Sequence, residues 1–403
     1  MTKAGIGRAL APSEKVHFGK EAYIGYTVRA SGRLDPDALT TAYDAVCRAY
    51  PQLSARLDIG DAGPIFVESD VQPEVTFREG DLDAPLAGLD LDQRRTLTAL
   101  NVVRAGDEAS VCLAIHHSIA DAHNAIDVVT TLWSCYTDVV NGVPVDLPSH
   151  PYPRSLEDLL AERGIHPHAA PAPTPPMPNL PVSLPDPVVR YVYQHRLSAA
   201  QTAAIAELGH RERLTINSLL SGAILLAEAE IRDLPLTELV YRYSVNLRSR
   251  LTPPVGSTEG TNVLGGVGFK VSPDLAPDAV TIGRAIGAQL QAGLADGSIQ
   301  RSLLDMLSRP LPGGKPWDPS LALKVVSVMN WGQVPMMRTP AGLRLTNFHS
   351  ASRMREASAL GGYVVNTFDG RIGIDLGWPE GDPQLSKRVE CLRAQLSRLT
   401  PDL

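Results

Sequence analysis

The chain has 403 residues, 44% of them hydrophobic and 20% charged, with a net charge of −7, the composition of an ordinary soluble globular protein. The acidic balance, with no run dense in Lys or Arg, argues against a nucleic-acid partner, because phosphates need a basic face. No stretch reaches the roughly 18 apolar residues of a membrane helix, and Met1-Thr2-Lys3-Ala4-Gly5-Ile6 lacks the apolar core of a signal peptide, so a cytoplasmic protein with no membrane span is expected.

Glu21 to Arg29 alternates as a half-buried strand through Ala22, Ile24, Tyr26 and Val28. Asp35-Pro36 then starts a helix with apolar positions Leu39, Ala42, Ala45, Val46 and Tyr50, and Pro51 ends it. Val75 and Phe77, Ala99 to Val103, and Val111 to Ile115 supply further strands, giving a sheet with helices packed on it. From Val143 to Pro187 the composition changes. His166 to Pro178 is so rich in proline that it cannot continue a helix or a central strand, since proline removes donors and fixes φ. It reads as an extended, semi-rigid crossover, with His150, His166 and His168 as solvated linker residues.

Beyond the crossover, Val188 to Arg196 reads as a strand, Ser198 caps a helix to about Leu208, and Thr215 caps a strongly apolar helix reaching Ile231. Leu239 to Val245, Gly265 to Val271 and Leu321 to Val328 read as strands; Val280 to Leu294 and Pro383 to Leu399 have helical spacing. At this length two domains of about 180 to 220 residues are the default.

Chemistry is offered where the apolar run Val111 to Ile115 leads into His116-His117-Ser118-Ile119-Ala120-Asp121, and helical spacing begins at Asp121. On a strand, successive side chains leave by opposite faces, so the two imidazoles cannot share one cavity. His117 is read as the available one and His116 as structural, orienting the turn from the other face. An imidazole of ordinary pKa, about 6.5, can take a proton from an alcohol near neutral pH, a contribution of about 10²–10⁴ in rate. Asp121 can cap the helix and also fold its carboxylate beneath the imidazole or the loop.

His116-His117-Ser118-Ile119-Ala120-Asp121-Ala122 resembles the HHxxxDG signature of the acyltransferase superfamily that includes chloramphenicol acetyltransferase, plant BAHD transferases and condensation domains. The wider sequence is similar to the polyketide-associated branch typified by phthiocerol/phthiodiolone dimycocerosyl transferase. That similarity runs from Leu34-Asp35-Pro36-Asp37-Ala38-Leu39 and Tyr50-Pro51-Gln52-Leu53, through Ala223-Ile224-Leu225-Leu226-Ala227-Glu228 and Thr258-Glu259-Gly260-Thr261-Asn262-Val263-Leu264-Gly265, to Met337-Arg338-Thr339-Pro340-Ala341-Gly342. It implies an α/β (α+β) fold of two chloramphenicol-acetyltransferase-like lobes, each a mixed sheet flanked by helices, with a tunnel between them. The expected divisions are an N-terminal lobe over 1–145 carrying the motif, a proline-rich interlobe linker over 146–187 and a C-terminal lobe over 188–403.

By the same resemblance, His117 is the general base in O-acylation of a polyketide-derived or similarly hydrophobic alcohol. The donor is acyl-CoA or an acyl chain on a carrier protein, with no bound cofactor, and the chain is expected to act as a monomer. The resemblance also implies a salt bridge from Asp121 to an arginine of the second lobe. Arg248, in Val245-Asn246-Leu247-Arg248, matches the VDxR segment of the relatives, and Arg250 competes from the same side of any continuing strand. One departure stands out: the final glycine is Ala122, so the turn must suit an L-residue. Competing functions are an amide-forming, condensation-type enzyme and an inactive homologue that only binds a carrier or ligand.

A tetrahedral oxyanion needs a donor, and Asn262 and Asn330 are the candidates near the tunnel, with ordinary turn roles as the alternative. Asp375-Leu376-Gly377-Trp378 superficially resembles the DFGWG element of BAHD enzymes but reads as a strand end before Pro379. Gly313-Gly314-Lys315 lacks an upstream glycine at P-loop spacing, and no GxSxG elbow exists. A metal set of His117, Asp121 and His123 has no recognised ligand spacing. The four cysteines, Cys47, Cys112, Cys135 and Cys391, are far apart with no zinc-ligand spacing, and Cys112 and Cys135, within apolar patterns, read as small core residues in a reducing cytoplasm.

Overall fold

The computed structural model describes residues 7–168, 188–308, 324–354, 361–379 and 381–400. The proline-rich crossover beyond residue 168 and the Gly313-Gly314-Lys315 step lie outside the described residues.

The first half opens with β1 (Arg8–Ala9), α1 (Pro12–Lys15) and β2 (Tyr23–Ser31). Then α2 (Pro36–Ala49) begins where sequence chemistry demands it: Asp35 accepts from the amides of Asp37 and Ala38, and Pro36 takes the first helical position. β3 (Ala55–Gly60), β4 (Gly63–Glu68), β5 (Val75–Glu79), β6 (Thr98–Ala105) and β7 (Glu108–His116) follow. Every residue of β7 after Glu108 is buried, as expected of a strand covered on both faces. The long α3 (Ala122–Val140) comes next, and α4 (Leu156–Ala161) forms inside the 146–187 linker, ahead of its proline-rich run, burying Leu156, Leu159 and Leu160.

The second half contains β8 (Val188–Arg196), α5 (Ala199–Glu212), α6 (Ile216–Arg232), β9 (Val240–Asn246), β10 (Leu264–Lys270), α7 (Ala279–Ala295) and α8 (Ser298–Ser308). It ends with β11 (Val325–Gln333), β12 (Arg344–Met354), β13 (Gly362–Phe368), β14 (Arg371–Pro379) and α9 (Leu385–Leu399). Ser198 and Thr215 cap α5 and α6 as their sequence positions predict. Among the described residues, no single helix is long and apolar enough to cross a membrane. All four cysteines are free and buried.

One sheet of eleven described strands runs through both halves in the order β10-β9-β11-β13-β14-β8-β12-β2-β7-β6-β5, and β1, β4 and β3 form a small separate sheet. The join is made by β12, which pairs antiparallel with β2 on one side (Ser350 opposite Tyr26) and with β8 on the other (Ser352 opposite Arg190). A strand from the second half thereby completes the sheet of the first. Two cores flank it: Val46, Leu113, Val129, Trp133 and Phe348 pack in the first half, Ile224, Tyr241, Val326, Ile374 and Leu392 in the second.

Three sequence expectations need correction or extension. The strand ending at Asn246 does not continue to Arg250; residues Arg248–Arg250 turn in a 3-10 helix, so the two arginines do not share a strand face. Asp375-Leu376-Gly377-Trp378 does close a strand at Pro379, as read, but that strand, β14, already begins at Arg371, and Asp375 is fully buried in it. β12 and β13 escape the sequence reading: Asn347-Phe348-His349-Ser350-Ala351-Ser352 mixes polar and apolar residues on both faces, and so lacks a period-two signal.

Candidate active site

The two histidines of the motif end β7 and part company there. The amide of His116 still donates to Leu97 O at 2.8 Å and that of His117 to Ala22 O at 2.7 Å, so neighbouring chain holds both on either side. Alternation then sends the rings to opposite faces. His116 is completely buried, its Nδ1 2.7 Å from Ser118 Oγ and its ring edge-on to Tyr23. Burial pushes that imidazole down to about 3, so it stays neutral.

His117 is half-buried and lines a cavity between the two halves. Burial lowers its imidazole below the ordinary 6.5, while its own carbonyl, the charge of Asp121, and Asn262 draw it part of the way back. A neutral, proton-accepting ring at neutral pH results. His17, from the turn after α1, lies face to face with it: the ring centroids are 4.2 Å apart and the planes differ by 11°. Sequence reasoning missed His17, because a single histidine in a short segment without periodicity carries no signal.

Asp121 caps α3, its Oδ1 accepting from Asn124 N at 3.0 Å. Its Oδ2 accepts from Arg248 Nη1 at 2.7 Å and from Val263 N at 2.8 Å. Arg248 also donates to the backbone, Nε to Ser257 O and Nη2 to Gly260 O, and from Nη1 to Asn246 Oδ1. Burial pushes the Asp121 carboxyl up, yet the adjacent guanidinium and the Asn124 amide win, and it stays ionised below its ordinary value. The carboxylate therefore lies beneath the loop and not against the His117 ring; Arg248 is its partner, and Arg250 is exposed.

Asn262 is buried, and its Nδ2 donates to the His117 carbonyl at 2.8 Å, bracing the turn that carries His117. Asn330 lines the cavity, with Nδ2 donating to Asn217 Oδ1 and Oδ1 accepting from Gly332 N. Ala122, the departure from the motif, is the first residue of α3; it packs against the first core and lines the cavity. The helical conformation there explains why alanine serves. His123 also lines the cavity, but Asp121 is turned away onto Arg248. Among the described residues, no three His, Cys, Asp or Glu side chains gather as a metal-binding group.

The cavity holds about 940 Å³ of space, part of it open to solvent at its mouth. Ile24, Leu264, Met329, Trp331, Met354 and Val364 make its walls mostly apolar. Ser244, Asn246, Ser350 and Ser352 add polar points, with Ser244 exposed at the rim. Since β2, α3, β9, β11, β12 and β13 all contribute, the site exists only where the halves meet.

Comparison with known proteins follows the same outline. The first condensation domain of the calcium-dependent antibiotic synthetase superposes with a TM-score of 0.68 at 14% identity, covering 98% of this chain and 97% of that one, which is a likeness of fold. Polyketide synthase associated protein 5 from Mycobacterium tuberculosis superposes with a TM-score of 0.81 at 30% identity, covering 98% and 99%. Residues 186–377 match the family model described as phthiocerol/phthiodiolone dimycocerosyl transferase C-terminus. The chain is an acyltransferase with the two-lobed, chloramphenicol-acetyltransferase-like fold. The phthiocerol/phthiodiolone dimycocerosyl transferase of Mycobacterium ulcerans is 32% identical over 402 residues, 96% of this chain and 95% of that protein. Its Mycobacterium leprae counterpart is 30% identical, covering 98% and 97%. The chain belongs to the phthiocerol/phthiodiolone dimycocerosyl transferase family.

Proposed function

We propose that the protein moves an acyl group from a thioester, acyl-CoA or an acylated carrier protein, to the hydroxyl of a hydrophobic, polyketide-derived acceptor, with His117 as general base. The observation that carries this reading is a neutral imidazole facing a largely apolar cavity between the halves, on a turn held by the buried Asp121–Arg248 pair. His117 Nδ1 is buried, which leaves Nε2 to act. The acceptor O–H gives its proton to Nε2 as its oxygen attacks the thioester carbonyl. The tetrahedral adduct collapses with loss of the C–S bond, and the leaving thiolate takes the proton back from the imidazolium. Asn330, which lines the cavity with one Nδ2 hydrogen left over after its bond to Asn217, helps bind the adduct oxygen, whereas Asn262 supports the base through its backbone. The four free, buried thiols suit a reducing cytoplasm.

A donor screen with free-thiol detection tests the proposal, using acetyl-CoA, longer acyl-CoAs and carrier-bound chains against paired alcohol and amine acceptors. Thiol release that needs an alcohol and His117 supports it. Release that needs an amine, or binding with no turnover by any donor, overturns it.

A further inference from the structure

We propose that His17 is a positioning residue whose stacked imidazole holds the His117 ring in its reactive plane and shields it from water. The inference rests on the general-base reading of His117.

A general base normally has its ring fixed by a third group hydrogen-bonded to the far nitrogen. Here the carboxylate that sequence spacing brings close, Asp121, is committed to Arg248 and two backbone amides; the His117 ring has only its own carbonyl, Asn262 and the Ala120 backbone nearby, none in a well-formed hydrogen bond to the buried Nδ1. Rotation about the Cβ–ring bond is intrinsically broad, and without a well-formed hydrogen bond at Nδ1 a contact on the ring face is what narrows it. The face of His17, 4.2 Å away and nearly parallel, restricts that rotation directly.

The platform is itself fastened. Ser13 donates from both N and Oγ to Glu157, at 2.8 and 2.7 Å. Glu14 accepts from Thr261 Oγ1 at 2.9 Å, and Gly19 N donates to Gln93 Oε1 at 3.2 Å. The Thr261–Asn262 step thus ties both partners, His17 through Glu14 and His117 through its carbonyl. The stack is built into the join between the halves.

Charge supports the same division of labour. Burial, then the like-charged neighbours His117, His116 and Lys20, hold His17 well below 6.5, so it is neutral while His117 works. Around the pair, the charge of Asp121 acts on His117 from beneath the loop, and Arg248 and His123 act on Asp121 in turn.

Three variants separate the roles. His17→Ala removes the platform, His17→Leu fills the volume without a flat π face, and His17→Phe restores the face without a titratable nitrogen. With folding checked by melting, Ala and Leu should lower kcat about tenfold or more with KM little changed. His17→Ala should also move the acid limb of the kcat profile up toward 6.5, as water reaches the His117 ring. His17→Phe should recover kcat to within about threefold of wild type. NMR titration of the His117 ring should show the same upward shift in His17→Ala without any turnover. Unchanged kcat and unchanged titration in folded His17→Ala, or a folded His17→Phe no better than Leu, would overturn the proposal. Should His117→Ala itself retain turnover, the general-base reading fails separately, and the NMR titration still decides whether His17 governs the ring.

Discussion

Asp121 Oδ2 lies 2.7 Å from Arg248 Nη1, each side chain almost wholly removed from solvent, and the bond joins the first half of the chain to the second. Removing one member strands the other as a buried charge, which costs about 3–5 kcal/mol. Asp121→Ala also loses the helix cap, and Arg248→Lys cannot reproduce the fork to Ser257 and Gly260. Both variants should melt well below wild type. Since the Asp121 carboxyl is held below its ordinary 3.8, the pair's contribution is complete above that value and disappears only in stronger acid. Thermal denaturation between pH 3 and pH 7 checks both points.

His117→Ala should behave in the opposite way. The ring is half-buried at the cavity edge, and its Nδ1 makes no well-formed hydrogen bond. Turnover should fall by about 10²–10⁴ while stability stays within about 1 kcal/mol of wild type. Thiol release and a melting curve on the same preparation are sufficient.

Ala122 offers a test of whether the departure from the glycine of the motif silences the enzyme. Because the residue is helical, Ala122→Gly should keep turnover within about threefold and cost less than about 1 kcal/mol. Ala122→Leu places its extra bulk in the cavity beside His117 and should abolish transfer from a melting-competent protein. A large gain of activity in the glycine variant would mean that alanine had disabled the site.

Acid should destabilise the fold through its buried imidazoles. Burial holds His116 at about 3 and His349 at about 4, whereas both would take up protons near 6.5 in the unfolded chain. Their contribution is therefore whole above pH 6.5 and is lost as the pH falls from there toward 3. Asp375 runs the other way. Burial raises it to about 7 from 3.8, so its contribution declines as the pH rises across that interval. Asp375→Asn should stabilise the protein by about 1–2 kcal/mol at pH 8 and give no such gain at pH 4, as read from melting temperature.

Much of the site is legible in the sequence because it is local. The strand run Val111 to Ile115, the alternation of His116 and His117, and the capping role of Asp121 all follow from periodicity within a few residues. Arg248 came from a family resemblance, and spacing alone left Arg250 in competition; what separates them is a 3-10 turn without a turn signature in Leu247-Arg248-Ser249-Arg250. His17 is invisible for the same reason in stronger form: its meaning arises from a contact with a residue remote in sequence. Asn262 was expected near substrate, yet its amide is directed at the His117 carbonyl, a choice no single-sequence pattern encodes.

Fold class was legible from the alternation of apolar strands and amphipathic helices, and the strand order was not. Pairings such as Ser350 with Tyr26 depend on which edges are left open after local folding, and sequence neighbours do not specify that.

The same pairing has a consequence for synthesis. β2 leaves the ribosome early, but the neighbour that closes its outer edge starts at Arg344, so at about 5–20 residues per second that edge waits on the order of tens of seconds. During that interval the nascent N-terminal portion presents an unsealed row of amides and carbonyls, open to mispairing. Two separately expressed fragments would each be born incomplete, and assembly of a working transferase from them would need strand donation from one polypeptide into the other.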